Sequence, residues 1–191
     1  IFKNTNLNLN VLSSPGSRID EAEADQVISN ALAATGDPAL GLTVGQLLSM
    51  GAHAVVGQTF LACANLMEVL DTLVRYGPLL TGRQAQIDHY KDLEEGRIGL
   101  TLSLAWPSPS IRFSHEAIFS AAQKTLSDLL QTPAIDVEVS LPYDAPRDTT
   151  AFEEIFGDKV RFNAEKAKLS IPEALVTEPL PTSNPILRAL Y

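Results

Sequence analysis

Arg75, Tyr76, His89, Trp106, Arg112 and Phe113, with Phe60 upstream of them, are the residues of this chain best equipped to hold a small molecule. An arginine presents a planar fork of donors that matches a carboxylate, and a histidine adds a second polar anchor. Phe60, Tyr76, Trp106 and Phe113 supply the flat apolar walls from which ligand pockets are built. Such rings are more often plain core, because aromatic side chains bury large apolar areas wherever they sit.

Catalytic chemistry has no comparable signature. His53, His89 and His115 are far apart and form neither the i, i+4 pair nor the Cys/His cluster of a metal site, so neither a metal nor a cofactor is expected. Haem needs a single axial histidine, which leaves His53 and His89 open to it, yet no cysteine attachment motif accompanies them. Ser110 and Ser114 lie near His115, but the G-x-S-x-G turn of a nucleophile is missing and Ser114 is explained as a helix cap. Glu94-Glu95 and Glu153-Glu154 read as a turn and a solvated helix face, and Gly41-x-x-x-Gly45 lacks the Lys and Ser/Thr that grip phosphates. No catalytic residue is assigned.

The length of 191 residues suits one domain with one core, and the formal net charge of −9 would repel a phosphate backbone. These residues alone are therefore not expected to bind DNA. Cys63, the only cysteine, stands in the apolar run Phe60-Leu61-Ala62-Cys63-Ala64 and reads as a small buried hydrophobe. No segment reaches the apolar length of a membrane span, and the opening IFKNTNLNLN lacks the layout of a signal peptide, so a cytoplasmic setting is expected. The absence of an initial Met and the stop at Tyr191 read as a piece of a longer protein.

The elements that must position these residues can be read from periodicity and punctuation. Ser17 offers an N-cap to a helix that Gly36 ends, and Asp37-Pro38 starts a second over Ala39 to Met50, its glycines implying a closely packed neighbour. Asn65 and Glu68 form a capping box for a helix with the stripe Leu66, Val69, Leu70, Leu73 and Val74, which Gly77-Pro78 should end or kink. Gln84 to Leu93 and Arg97 to Trp106 read as a hairpin whose second strand turns Ile98, Leu100, Leu102 and Leu104 to one face. The other face, with Arg97, Gly99, Thr101 and Ser103, should lack a covering layer.

Ser114 then caps a helix with Ile118, Phe119, Ala122, Leu126 and Leu129 inward, ended at Thr132-Pro133. Ile135 to Leu141 alternates as a half-buried strand. A short helix follows from Thr150 to Gly157, short strands from Lys159 to Phe162 and Leu169 to Ile171, and Asn184-Pro185 opens a last helix. The sum is an α+β fold, a small and mostly antiparallel sheet packed against several helices.

Three stretches in this order, GDPALGLTVGQ from Gly36, GAHAVVGQTF from Gly51, and NLMEVLDTLVRYGPLL from Asn65, are similar to a known sensor module. Ile111-Arg112-Phe113-Ser114-His115-Glu116, Phe152-Glu153-Glu154-Ile155-Phe156-Gly157 and Val160-Arg161-Phe162-Asn163 continue the pattern. Together they resemble the amino-terminal effector-binding domain of AraC-family bacterial transcription regulators. The resemblance implies a sensing domain over residues 1–182, a linker helix beginning at 183–191, and DNA contact only through an absent carboxy-terminal helix-turn-helix domain. It also implies a small-molecule effector and a homodimer, with the helix from Ser114 to Gln131 as a candidate interface. Apolar walls with arginine nearby favour an organic acid or amphiphile over a sugar. A ligand-free interaction module and a small hydrolase remain as alternatives.

Overall fold

In the computed structural model the described residues are 1–183 and 186, except 15, 16, 18, 49, 82–84, 105–109 and 134. Trp106 and the helix expected at Asn184-Pro185 lie outside the described residues.

The amino-terminal third is helical. A single turn, α1 (Leu9–Ser13), precedes α2 (Glu21–Thr35). Asp20 rather than Ser17 caps α2, its Oδ1 accepting from the Glu23 amide at 2.8 Å, and Gly36 ends the helix in the left-handed region at φ 64°. Asp37 Oδ1 accepts from the Ala39 amide at 2.8 Å, which delays α3 to Leu40–Leu47, shorter than the segment expected. A 3-10 turn at Met50–His53 leads into α4 (Ala54–Ala62).

Helix α5 (Leu66–Thr81) starts as its capping residues dictate, with Asn65 Oδ1 accepting from the Glu68 amide at 3.1 Å. Glu68 returns its carboxylate to the Ala64 amide at 2.9 Å, one residue before the cap. The expected stop at Gly77-Pro78 is not observed, since the helix runs on to Thr81. Proline forgoes one backbone bond there, and packing on the next strand outweighs it: any side chain on Gly77 would collide with Ile87 Cδ1.

Strands β1 (Ala85–Asp92) and β2 (Arg97–Leu104) form the hairpin, with Asp92 Oδ1 accepting from the Glu94 and Glu95 amides at 3.0 Å and Gly96 at φ 62°. Helix α6 (Ile111–Leu130) follows. It begins three residues before Ser114, because the Ser114 amide already closes a helical bond to the Ser110 carbonyl at 2.9 Å. The next strand, β3 (Glu138–Ser140), is short because the Val137 amide turns back to the Ile135 carbonyl at 2.9 Å. Helix α7 (Thr150–Phe156) follows Thr149, whose hydroxyl donates to Glu153 Oε1 at 2.7 Å, while Asp148 Oδ1 accepts from the Thr150 amide at 3.0 Å, and Gly157 at φ 74° ends the helix. Strands β4 (Val160–Arg161) and β5 (Ala167–Pro172) and helix α8 (Glu173–Val176) complete the described chain.

The five strands form one sheet in the order β1-β2-β5-β3-β4, antiparallel except for the β3–β4 pair. Its register puts Ala85, Ile87 and His89 beside Leu104, Leu102 and Leu100, and Ala167, Leu169 and Ile171 beside Leu102, Leu100 and Ile98. This apolar face meets the helices and holds the core with Leu66, Val69, Leu70, Phe60, Phe119 and Leu129. The opposite face is polar, as the period-two pattern requires. Arg97 on that face is nevertheless buried, enclosed by Ser170, Asp136 and Glu138.

Candidate functional site

The apolar stripe of α5 and the small inward residues of α6 do not fill the space above the hairpin. Ala117, Ala121 and Ala122 on α6 face Val69, Leu70 and Leu73 on α5, over Ile87, Leu100 and Leu102 of the sheet, and a cavity of about 170 Å³ remains between them. Phe60, Leu48, Ile118, Phe119, Leu126 and Leu169 close it further, and among the described lining residues only Thr101 and Thr125 are polar.

A second, outer groove of about 300 Å³ runs along the other side of α5, lined by Thr59, Ala62, Cys63, Glu68, Asp71, Thr72, Arg75 and Tyr76. It is a mixed surface. Asp71 Oδ1 lies 3.1 Å from His89 Nε2, with both side chains largely exposed, so the pair contributes little to stability. Cys63 is buried at the base of the groove and its thiol donates to the Thr59 carbonyl at 3.3 Å.

A third cluster caps the start of α6. Glu116 is 2 % exposed and accepts at Oε1 from Arg112 Nε at 2.7 Å and from the Tyr143 hydroxyl at 3.2 Å. Burial pushes the Glu116 carboxyl above the usual range, while the Arg112 guanidinium works in the opposite direction. Burial also raises the Tyr143 hydroxyl, helped by the negative charge of Glu116, and Arg112 stacks over the Tyr143 ring at 5.2 Å. Beside them His115 is buried and depressed to about 4 by desolvation. Its Nδ1 has no hydrogen-bond partner among the described residues.

The seven residues expected to hold a ligand are thus divided among these places. Phe60 lines the inner cavity. Arg75 and Tyr76 line the outer groove, and His89 reaches Asp71 at its margin. Arg112 belongs to the Glu116 cluster, and Phe113 stands on the first turn of α6, where its carbonyl meets α3. Trp106 lies outside the described residues. What the sequence reading missed is the α6 wall, whose signal was present in Ala117, Ala121 and Ala122: three small residues on the inward side of a helix facing long aliphatic ones.

This arrangement, one helical layer on one face of a small sheet with a cavity between them, leaves room for a small ligand. A family model described as the arabinose-binding domain of AraC transcription regulator, N-terminal, matches residues 1–180, and the chain belongs to that family. The family is one of transcription regulators, not of enzymes. The chain is 28 % identical over 175 residues to the ornithine utilization regulator of Pseudomonas aeruginosa, covering 92 % of this chain and 51 % of that protein. Its fold matches the crystal structure of the transcriptional regulator CdpR from Pseudomonas aeruginosa with a TM-score of 0.72 at 22 % identity, over 94 % of this chain and 57 % of that one. The chain therefore spans about half the length of these relatives. No helix among the described residues is long and apolar enough to cross a membrane.

Proposed function

We propose that this chain is the effector-sensing part of a cytoplasmic transcription regulator, in which a small molecule entering the cavity between α5, α6 and the hairpin sets the activity of a DNA-binding domain outside these residues. The observation that carries the reading is the cavity itself. Interiors normally pack to crystal-like density with few voids larger than a water molecule, and here about 170 Å³ remains where two helices meet the sheet. The charge of −9 supports this division of labour, because it disfavours contact of these residues with a phosphate backbone. A ligand controls such a regulator only through different affinities for two arrangements of sensor and reader.

A homodimer follows from the same reading, because operators with paired half-sites call for paired readers. Helix α6 is a poor candidate for its interface, since ten of its residues are already buried within the chain. The relative named for ornithine utilization supports a metabolite as the effector class. An organic acid would find its cation at Arg75 in the outer groove.

The test is a thermal-shift screen of the 191-residue chain against a mixed library of acids, amines, sugars and neutral hydrocarbons, repeated on Ala122→Phe. A ligand at concentrations far above its dissociation constant raises the midpoint of the native chain. Flat melts across every class would leave the ligand-free interaction module as the better reading.

A further inference from the structure

Resting on the sensing reading above, we infer that the cavity takes a compact, uncharged molecule, hydrocarbon over most of its surface, with at most one hydrogen-bonding group, which the Thr125 hydroxyl receives.

The described walls offer a charge no partner. No Asp, Glu, His, Lys or Arg stands among the described lining residues. An ion moved there would lose its hydration without gaining a partner, a cost far above what the rest of a small ligand can offset. Arg75 and Arg112, the cations that an acid would need, belong to the outer groove and the Glu116 cluster, and the His89 ring reaches only the margin of that groove.

Size follows from the volume. A hydrocarbon-lined protein cavity of about 150 Å³ stays dry and admits benzene, so the space here suits a molecule on the order of six to ten heavy atoms. Longer chains would have to displace α5 or α6.

The polar point comes from Thr125. Of the two lining threonines, Thr101 pairs in register with Asp88 and Lys168, which turns its side chain to the polar face of the sheet. Thr125 sits on α6 one and two turns after Ala122 and Ile118, and is 6 % exposed. Helical threonines commonly return the hydroxyl to the carbonyl one turn back, as Thr72 does to Glu68 at 2.7 Å and Thr35 to Ala31 at 2.9 Å. Thr125 makes no such bond and has no other hydrogen-bond partner among the described residues, so its hydroxyl is free to meet a ligand.

The experiment uses toluene, phenol, benzoate and L-ornithine as probes of the 191-residue chain, read by calorimetry and by thermal midpoint. Toluene and phenol bind, and benzoate and L-ornithine do not. Ala122→Phe, which fills the space, weakens both neutral probes more than tenfold. Thr125→Val keeps the shape and weakens phenol about five- to tenfold while leaving toluene unchanged. Ile118→Ala enlarges the cavity and moves the preference from toluene to naphthalene, a gain that misfolding could not imitate. Benzoate or L-ornithine binding that Ala122→Phe abolishes and Arg75→Ala leaves intact would put a charged ligand in the cavity, which overturns the inference and leaves the sensing reading standing. Silence from all four probes, while other members of the mixed library bind, would also overturn it; silence from the library as well would remove both.

Discussion

Gly41 lies directly over Glu116: a methyl group placed on the glycine would come within 2.8 Å of Glu116 Cβ and 2.6 Å of the Phe113 carbonyl oxygen. One turn further on, the same construction on Gly45 would approach the Ala117 carbonyl at 2.5 Å and Ser120 Cβ at 2.6 Å. Helices α3 and α6 thus touch backbone to backbone, fastened by Ser120 Oγ donating to the Leu42 carbonyl at 2.7 Å and Gln46 Nε2 donating to the Ser120 carbonyl at 3.0 Å.

Gly41→Ala and Gly45→Ala will each destabilise the chain by about 1–3 kcal/mol through overpacking, despite the better helix propensity of alanine. Gly36→Ala is the control. It meets nothing within 4 Å, so its cost comes from the left-handed φ of 64° alone and stays near 1 kcal/mol. Urea unfolding of the three variants reads the difference, and equal losses at all three would contradict the close helix contact.

Arg112→Met removes the charge that compensates buried Glu116 and should cost about 1–2 kcal/mol at neutral pH, less than for a fully buried pair because the Arg112 side chain is 35 % exposed. Glu116 has a raised pKa, so the folded chain binds its proton more readily than the unfolded chain does. The stability tied to that proton is present at low pH and is lost as pH rises through the folded-state value. Arg112→Met will therefore be most harmful at neutral pH, and adding Glu116→Gln will recover much of the loss. A double-mutant cycle with no coupling would refute this.

His115 has the opposite sense. Its folded-state pKa of about 4 lies below the 6.5 of the free side chain, so the unfolded chain takes up a proton that the folded chain refuses. Stability contributed by neutral His115 is intact above pH 6.5 and is lost as pH falls toward 4, by on the order of 3 kcal/mol in full. His115→Gln should flatten this part of the stability profile. An unchanged slope between these values would show that other groups cause it.

Arg97 makes four polar contacts that a lysine cannot reproduce: Nε to Ser170 Oγ, Nη1 to Asp136 Oδ1, and Nη2 to the carbonyls of Asp136 and Ser170. Arg97→Lys should cost about 2 kcal/mol and loosen the β2–β5 pairing, seen as faster amide exchange at Ser170. Asp136, held below the usual carboxylate range first by Lys159 and then by Arg97, should titrate higher in the variant. An Asp136 that titrates unchanged would place its partner elsewhere.

The parts of the fold legible in the sequence are those governed by local rules. Asn65 and Glu68 announce α5, alternation announces the hairpin, and Gly36 and Gly157 mark helix ends by their left-handed φ. The close neighbour implied by Gly41 and Gly45 is there, though only the structure shows it to be α6. Where a long-range contact competes with a local signal, the local signal loses: Gly77-Pro78 does not end α5, because Ile87 holds the helix against the sheet. Arg97 could be placed on the polar face by period two, but not its burial, which depends on Asp136 and Ser170 arriving from distant segments. The cavity was hidden for a similar reason. Aromatics and arginines stand out in a sequence, whereas a void is written in alanines, whose meaning appears only when the facing helix is known.

Helix α6 forms one wall of the cavity on one side and the seat of α3 on the other. Contact through Gly41 and Gly45 leaves little slack between the two backbones, so a push on Ala122 from within would reach α3, much as motion passes along a lever. Helix α3 would travel with whatever occupies the space on the far side of α6.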